Sequence, residues 1–117
     1  MKNLETVGKL IRRLRKDKKL SLRDLAKIVN MSHVNITHIE NDRVSTNTQT
    51  LIGLAKALDC NPDKMLAVAN EVGDDIKGII QGKPDAVPKF LRTTKNFDDN
   101  DWKKIEEIAK EINRDKK

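Results

Sequence analysis

Apolar side chains return at i, i+3, i+4 and i+7 through Val7, Leu10, Ile11 and Leu14, the spacing that puts them on one stripe of an α-helix. Bases fill the other faces, and Asp17-Lys18-Lys19 closes the segment. Ser21 then offers an N-cap, and Asp24 three residues on completes a capping-box-like pair. Leu22, Leu25, Ala26 and Val29 form the apolar face of this second helix, and Asn30, which tolerates left-handed backbone, suits its end. Ser32 caps a third short helix with Ile36 and Ile39 turned inward, and Asn41-Asp42 is a turn signal. Asn47 caps a fourth helix with Leu51, Leu54, Ala55 and Leu58 on one face. Asn61-Pro62 starts a fifth, with Met65, Leu66 and Ala69 inward. Five short helices joined by tight turns in about 70 residues predict a small all-α globule.

Beyond it, Val72, Ile76, Ile79 and Ile80 extend or follow the fifth helix until Gly82-Lys83-Pro84-Asp85 interrupts. Pro88-Lys89-Phe90-Leu91 reads as a short apolar knot. Asp98-Asp99-Asn100-Asp101 precedes Trp102, where negative charge favours a helix start. The last helix carries a single apolar stripe of Trp102, Ile105, Ile108, Ala109 and Ile112. No strand alternation, repeat or low-complexity tract interrupts this pattern. The expected organisation is a domain over residues 1–70 followed by a helical tail over residues 71–117.

Charge sharpens that division. Residues 1–30 carry ten Lys and Arg against three Asp and Glu, residues 31–70 three against four, and residues 71–117 eleven of each. The net charge of +6 therefore belongs to the first segment, while Phe90, Phe97 and Trp102, the chain's only aromatics, lie in the neutral one. A localised positive surplus suits a polyanionic partner. At 117 residues the chain is too short for a barrel or doubly wound enzyme. One cysteine, Cys60, excludes an internal disulfide framework and a cysteine-cluster zinc site, and suits a small core residue. No apolar run is long enough to cross a membrane, and the opening residues lack a signal peptide's apolar stretch. A cytoplasmic setting without membrane partners is expected.

The second and third predicted helices hold the chemistry. A three-residue turn, Asn30-Met31-Ser32, joins them. Turned by about 100° per residue, Ile36 and Ile39 face one way and His33, Val34, Thr37, His38 and Asn41 the other, with Asn35 at the edge. Hydrogen-bonding groups beside one small apolar group are what reading base edges requires. Here the chain resembles the Cro and phage-repressor (XRE) family of helix-turn-helix proteins. The resemblance runs through Ser21-Leu22-Arg23-Asp24-Leu25-Ala26-Lys27, Asn30-Met31-Ser32, Ile36-Thr37-His38-Ile39-Glu40-Asn41-Asp42-Arg43, Thr50-Leu51 and Leu54-Ala55-Lys56-Ala57-Leu58, and covers about residues 7–69. Asn30 stands where the family usually has glycine, and Thr46 where many members have proline.

The resemblance implies a five-helix, lambda-repressor-like DNA-binding domain whose third helix, about residues 33–41, enters the major groove of double-stranded DNA. Ser32, His33, Val34, Thr37 and His38 fall on the family's base-contacting positions. Val34 suits a thymine methyl, and the imidazoles suit purine N7 or guanine O6. Ser21, Lys27, Asn41 and Arg43 fall at or beside phosphate-clamping positions. Arg15 and Glu40 match a pair that in relatives joins the first helix to the end of the recognition helix.

His33 and His38 are five apart and do not share the i, i+4 face of a helical metal site, so no metal is expected; their competing use is as solvated surface residues. No phosphate loop, ligand cluster or nucleophile arrangement supports an enzyme or a cofactor, and Asp98, Asp99 and Asp101 read as cap and solvent residues. The striped tail helix must pack on something, since an isolated helix of that length is marginal. It packs on its own domain or, through Phe90, Leu91, Trp102, Ile105, Ile108 and Ile112, on a second copy. The expectation is a transcriptional regulator, a repressor acting as a homodimer or higher homo-oligomer on a palindromic operator. The alternative is an antitoxin or other partner-binding protein that uses its DNA-binding domain for autoregulation. Under either reading, a protease, a toxin or an anti-repressor is the kind of protein partner expected beside DNA.

Overall fold

The computed structural model describes residues 5–116. These fold into α1 (Val7–Asp17), α2 (Leu22–Val29), α3 (His33–Glu40), α4 (Thr48–Ala57), α5 (Pro62–Val68), α6 (Asp74–Gly82), α7 (Ala86–Thr93) and α8 (Asp99–Asp115), with no strand among the described residues. The all-α reading holds, and so do the five helices of the first segment.

Each of the first five helices begins where a side chain accepts an otherwise orphaned backbone N–H. Thr6, Ser21, Ser32, Asn47 and Asn61 accept from Lys9, Asp24, Asn35, Thr50 and Asp63 respectively, at 2.8–3.2 Å. A cap of this kind contributes about 1 kcal/mol. The Ser21–Asp24 box closes in both directions, because the Ser21 backbone N–H also donates to the Asp24 carboxylate at 3.0 Å. That bond, followed by the Ser21 side chain, holds the Asp24 carboxyl below the usual range.

The same five helices end in one way. Lys19, Asn30, Asp42, Asp59 and Asn70 take left-handed backbone, with φ of 55–62°. In each case this residue's N–H reaches back three residues, and the next N–H reaches back five: Leu20 to Arg15, Met31 to Ala26, Arg43 to His38, Cys60 to Ala55 and Glu71 to Leu66. This is the Schellman closure, which normally recruits glycine. None of the described glycines has positive φ, so the chain bears the left-handed cost on ordinary side chains five times over. Leu20, Met31 and Cys60, each just past its turn, are partly buried against the core and help offset that cost.

The core is aliphatic. Ile11, Leu25, Ile36, Leu51, Leu54, Met65 and Leu66 are essentially inaccessible to solvent and come from all five helices. Packing divides the chain into a unit ending at Lys77 and a unit beginning at Gly78. The residues from Val72 to Ile80 do not simply prolong α5. Val72 lies in the connection after Asn70, while Ile76, Ile79 and Ile80 lie on a separate helix, α6.

The second unit departs from the sequence reading at one place. The apolar knot around Pro88 is a helix, α7. Pro88 is its third residue, inside the first turn, where its missing N–H would have had no intrahelical partner. After α7, Thr94 is buried and its hydroxyl donates to the Leu91 carbonyl at 3.1 Å. Asp98 and Asp101 form a reciprocal capping box that starts α8. The Phe97 and Trp102 rings meet edge to face at 5.6 Å.

Candidate nucleic-acid interface

The geometry of α2 and α3 follows from the turn between them. Asn30, at φ 56°, reverses the chain, and the Met31 N–H donates to the Ala26 carbonyl at 2.9 Å. Ser32 then caps α3. Ile36 and Ile39 pin α3 to the core at 0% and 4% exposure, which leaves His33, Val34 and Asn35 in solvent and Thr37 and His38 half-buried.

The hydrogen-bonding capacity left on this face can be read group by group. The Ser21 and Ser32 hydroxyls accept at their caps through a lone pair, so each keeps its proton to donate outward. Thr37 donates its hydroxyl proton to the His33 carbonyl at 2.9 Å and keeps acceptor capacity. The Nδ1 of His38 is buried without a partner, so whatever His38 offers outward comes from Nε2. Val34 is the single exposed apolar side chain on the face, at 51% exposure. Asn41, the C-cap of α3, and Arg43 just beyond it are both exposed.

Lys27 of α2 is exposed and lines a shallow groove with Arg23, Ser32 and His33. Arg23 was not singled out from the sequence. It stands one residue before the capping Asp24, and only the folded turn brings it beside the start of α3.

Arg15 and Glu40 meet as expected. The Arg15 Nε and Nη2 donate to the two Glu40 carboxylate oxygens at 2.7 and 3.0 Å, and Nη1 donates to the Leu20 carbonyl at 2.9 Å. Both side chains are about nine-tenths buried or more. The bond to Glu40 holds the Arg15 guanidinium more firmly protonated than usual. One side chain of α1 thus ties down the α1–α2 turn and the last turn of α3 together.

The tail residues keep much of their apolar surface. Phe90, Leu91 and Trp102 are 41–43% exposed, Ile108 and Ile112 are 52% exposed, and Ile105 is half-buried. Among the described residues, no three His, Cys, Asp or Glu side chains gather where they would hold a metal ion. None of the described helices is long and apolar enough to cross a membrane.

Comparison with known proteins adds four relations. Residues 11–65 match the family described as helix-turn-helix. The chain is 38% identical over 64 residues to the repressor protein C2 of Salmonella phage P22, a match covering 55% of this chain and 30% of that protein. It therefore spans under a third of the curated relative's length. Among solved structures, it is similar to the DNA-binding domain of the P22 c2 repressor in solution, at 35% identity and a TM-score of 0.52, covering 58% of this chain and 99% of that one. It is also similar to the clp gene regulator ClgR of Corynebacterium glutamicum, at 27% identity and a TM-score of 0.51, covering 60% and 92%.

Proposed function

Because the chain belongs, through residues 11–65, to the Cro and phage-repressor (XRE) helix-turn-helix family, we propose that it is a sequence-specific DNA-binding transcriptional repressor. It reads double-stranded DNA with the outer face of α3. The observation that carries this reading is the division of α3 into two faces. Ile36 and Ile39 are fully committed to the core, while His33, Val34, Thr37 and His38 are left with one apolar contact and several hydrogen-bonding groups. A major groove about 12 Å wide admits a helix bearing such a face.

In this reading Ser32, His33, Val34, Thr37 and His38 meet base edges. Val34 covers a thymine methyl, and the His38 Nε2–H donates to a purine N7 or guanine O6. Ser21, Lys27, Asn41 and Arg43, joined by Arg23, hold the flanking phosphates and set the register without reading sequence. The protein acts in the cytoplasm without chemistry of its own.

The tail supplies the second half of the design. Phe90, Leu91, Trp102, Ile105, Ile108 and Ile112 pair with their counterparts on a second copy of the chain. Burying a large apolar side chain fully contributes about 1.5–3 kcal/mol, so five side chains that remain about half-exposed carry enough unburied surface to drive association. Two copies place two α3 helices on successive major grooves about 34 Å apart.

Selection of bound fragments from a random duplex pool tests both halves. The expected result is a motif with two inverted half-sites centred about 10 base pairs apart. Recovery of random sequence would contradict base reading. A single, non-repeated half-site would contradict the paired arrangement.

A further inference from the structure

Asp42 presents itself in the sequence as a turn residue, and in the fold it does more. It follows the C-cap of α3 with φ 57°, a conformation that favours glycine. Its carboxylate turns back on α1. Oδ2 accepts from the Thr6 hydroxyl at 2.6 Å, and Oδ1 accepts from the Gly8 backbone N–H at 3.1 Å. Thr6 in turn accepts from the Lys9 N–H, so hydroxyl and carboxylate together satisfy two of the orphaned donors at the start of α1. The first turn of α1 contains no acid of its own. Asp42 supplies the negative charge that a helix N-terminus favours, from more than thirty residues away.

Gly8 makes the contact possible. It is buried, and a Cβ there would lie 2.4 Å from the Ile39 carbonyl oxygen, 2.7 Å from that of Glu40 and 2.5 Å from Asp42 Oδ1. The backbone of α1 therefore lies directly against the end of α3. Arg15 grips Glu40 seven residues further along α1, about 10 Å along the helix axis. One fastening alone is a pivot. Two, spaced along α1 and both gripping the end of α3, fix the angle of that helix.

We propose that Asp42 is a positioning residue for sequence reading. Its carboxylate, shared between the Thr6 hydroxyl and the Gly8 N–H, sets the angle at which α3 presents His33, Val34 and His38 to DNA. The role rests on the DNA-reading function proposed above and adds to it a residue that touches no base.

The test uses the full chain and three variants: Asp42→Gly, Asp42→Ala and Asp42→Asn. Asp42→Gly is the informative one, because glycine keeps the left-handed turn without strain while removing the clasp. Affinity is measured for the selected duplex and for a shuffled duplex of equal length, at a temperature where each variant is folded. Hydrogen exchange of the Gly8 amide is followed in parallel. The expected result is faster Gly8 exchange and an about tenfold smaller ratio of selected to shuffled affinity in Asp42→Gly and Asp42→Ala. Asn, whose amide oxygen still accepts from Gly8, restores the ratio to within about twofold. A merely structural role would lower both affinities together and leave the ratio alone. A wild-type ratio in Asp42→Gly, or a loss in Asp42→Asn as deep as in Asp42→Gly, would overturn the positioning role while leaving DNA reading standing. A wild-type chain that favours no duplex would overturn the function and this role with it.

Discussion

Replacing Arg15 by Ala is expected to destabilise the chain by about 3–5 kcal/mol, the range for removing one partner of a buried ion pair. An exposed pair would cost no more than about 1 kcal/mol, so burial decides the size of the effect. The Glu40 side chain is 5% exposed and the Arg15 side chain 10%. Truncation leaves the Glu40 carboxylate desolvated with neither of its two donors, and it takes the Nη1 donor away from the Leu20 carbonyl. A large share of the loss is therefore the uncompensated charge of Glu40 rather than the net worth of the pair. The double variant Arg15→Met, Glu40→Met, which fills the volume without charge, should recover much of the stability. Urea unfolding of the three chains measures this. A loss below about 1 kcal/mol for Arg15→Ala would mean that the pair is effectively solvated.

Gly8→Ala is the second large effect, and its sign runs against the usual rule. Alanine is favoured over glycine by about 1 kcal/mol in a helix interior, but here the added methyl meets two backbone carbonyls and the Asp42 carboxylate within 2.7 Å. Carbonyls at the end of a packed helix cannot swing aside as a flexible side chain does, so α1 and α3 must separate. Overpacking of this kind costs about 1–3 kcal/mol, and the loss of the Asp42 bonds places Gly8→Ala at the top of that range. A fall in Tm of more than about 10 °C is expected by calorimetry. Gly53→Ala is the control. A Cβ at Gly53 meets nothing within 4 Å, and the ordinary helix preference should leave Tm unchanged or higher. A Gly8→Ala chain as stable as the wild type would show that α1 and α3 do not approach as described.

Much of this fold was legible because its signals are local. Ser21, Ser32, Asn47 and Asn61 each precede an apolar period and each caps a helix, since capping is decided within four residues of chain. The inward turn of Ile36 and Ile39 followed from helical period alone. Asn30 was readable as a left-handed closure, but Lys19 and Asp59 were not. Lysine does not advertise positive φ and aspartate does so only weakly, and in both cases the next residue, Leu20 or Cys60, packs against the core. The helix at Pro88 was hidden because proline reads as a breaker until its place in the first turn is known. Asp42 was hidden for another reason. Its partners Thr6 and Gly8 lie 36 and 34 residues away, and no periodicity links them. The pairing of Arg15 with Glu40, 25 residues apart and likewise linked by no periodicity, came from family resemblance, whereas Arg23 entered the site only when the α2–α3 turn folded it beside His33.

In the proposed function the outer face of α3 reads base edges, and His38 is the sharpest probe of that face. Its Nδ1 is buried, so Nε2 is its only outward hydrogen-bonding group, and alanine removes that group together with the half-buried ring. The measurement is the affinity of the wild-type chain and of His38→Ala for the selected duplex and for a shuffled duplex of the same length and salt. Loss of a base-reading contact predicts an affinity about tenfold or more lower for the selected duplex, with a change under about twofold for the shuffled one. An equal loss on both duplexes, or no loss on either, would contradict it.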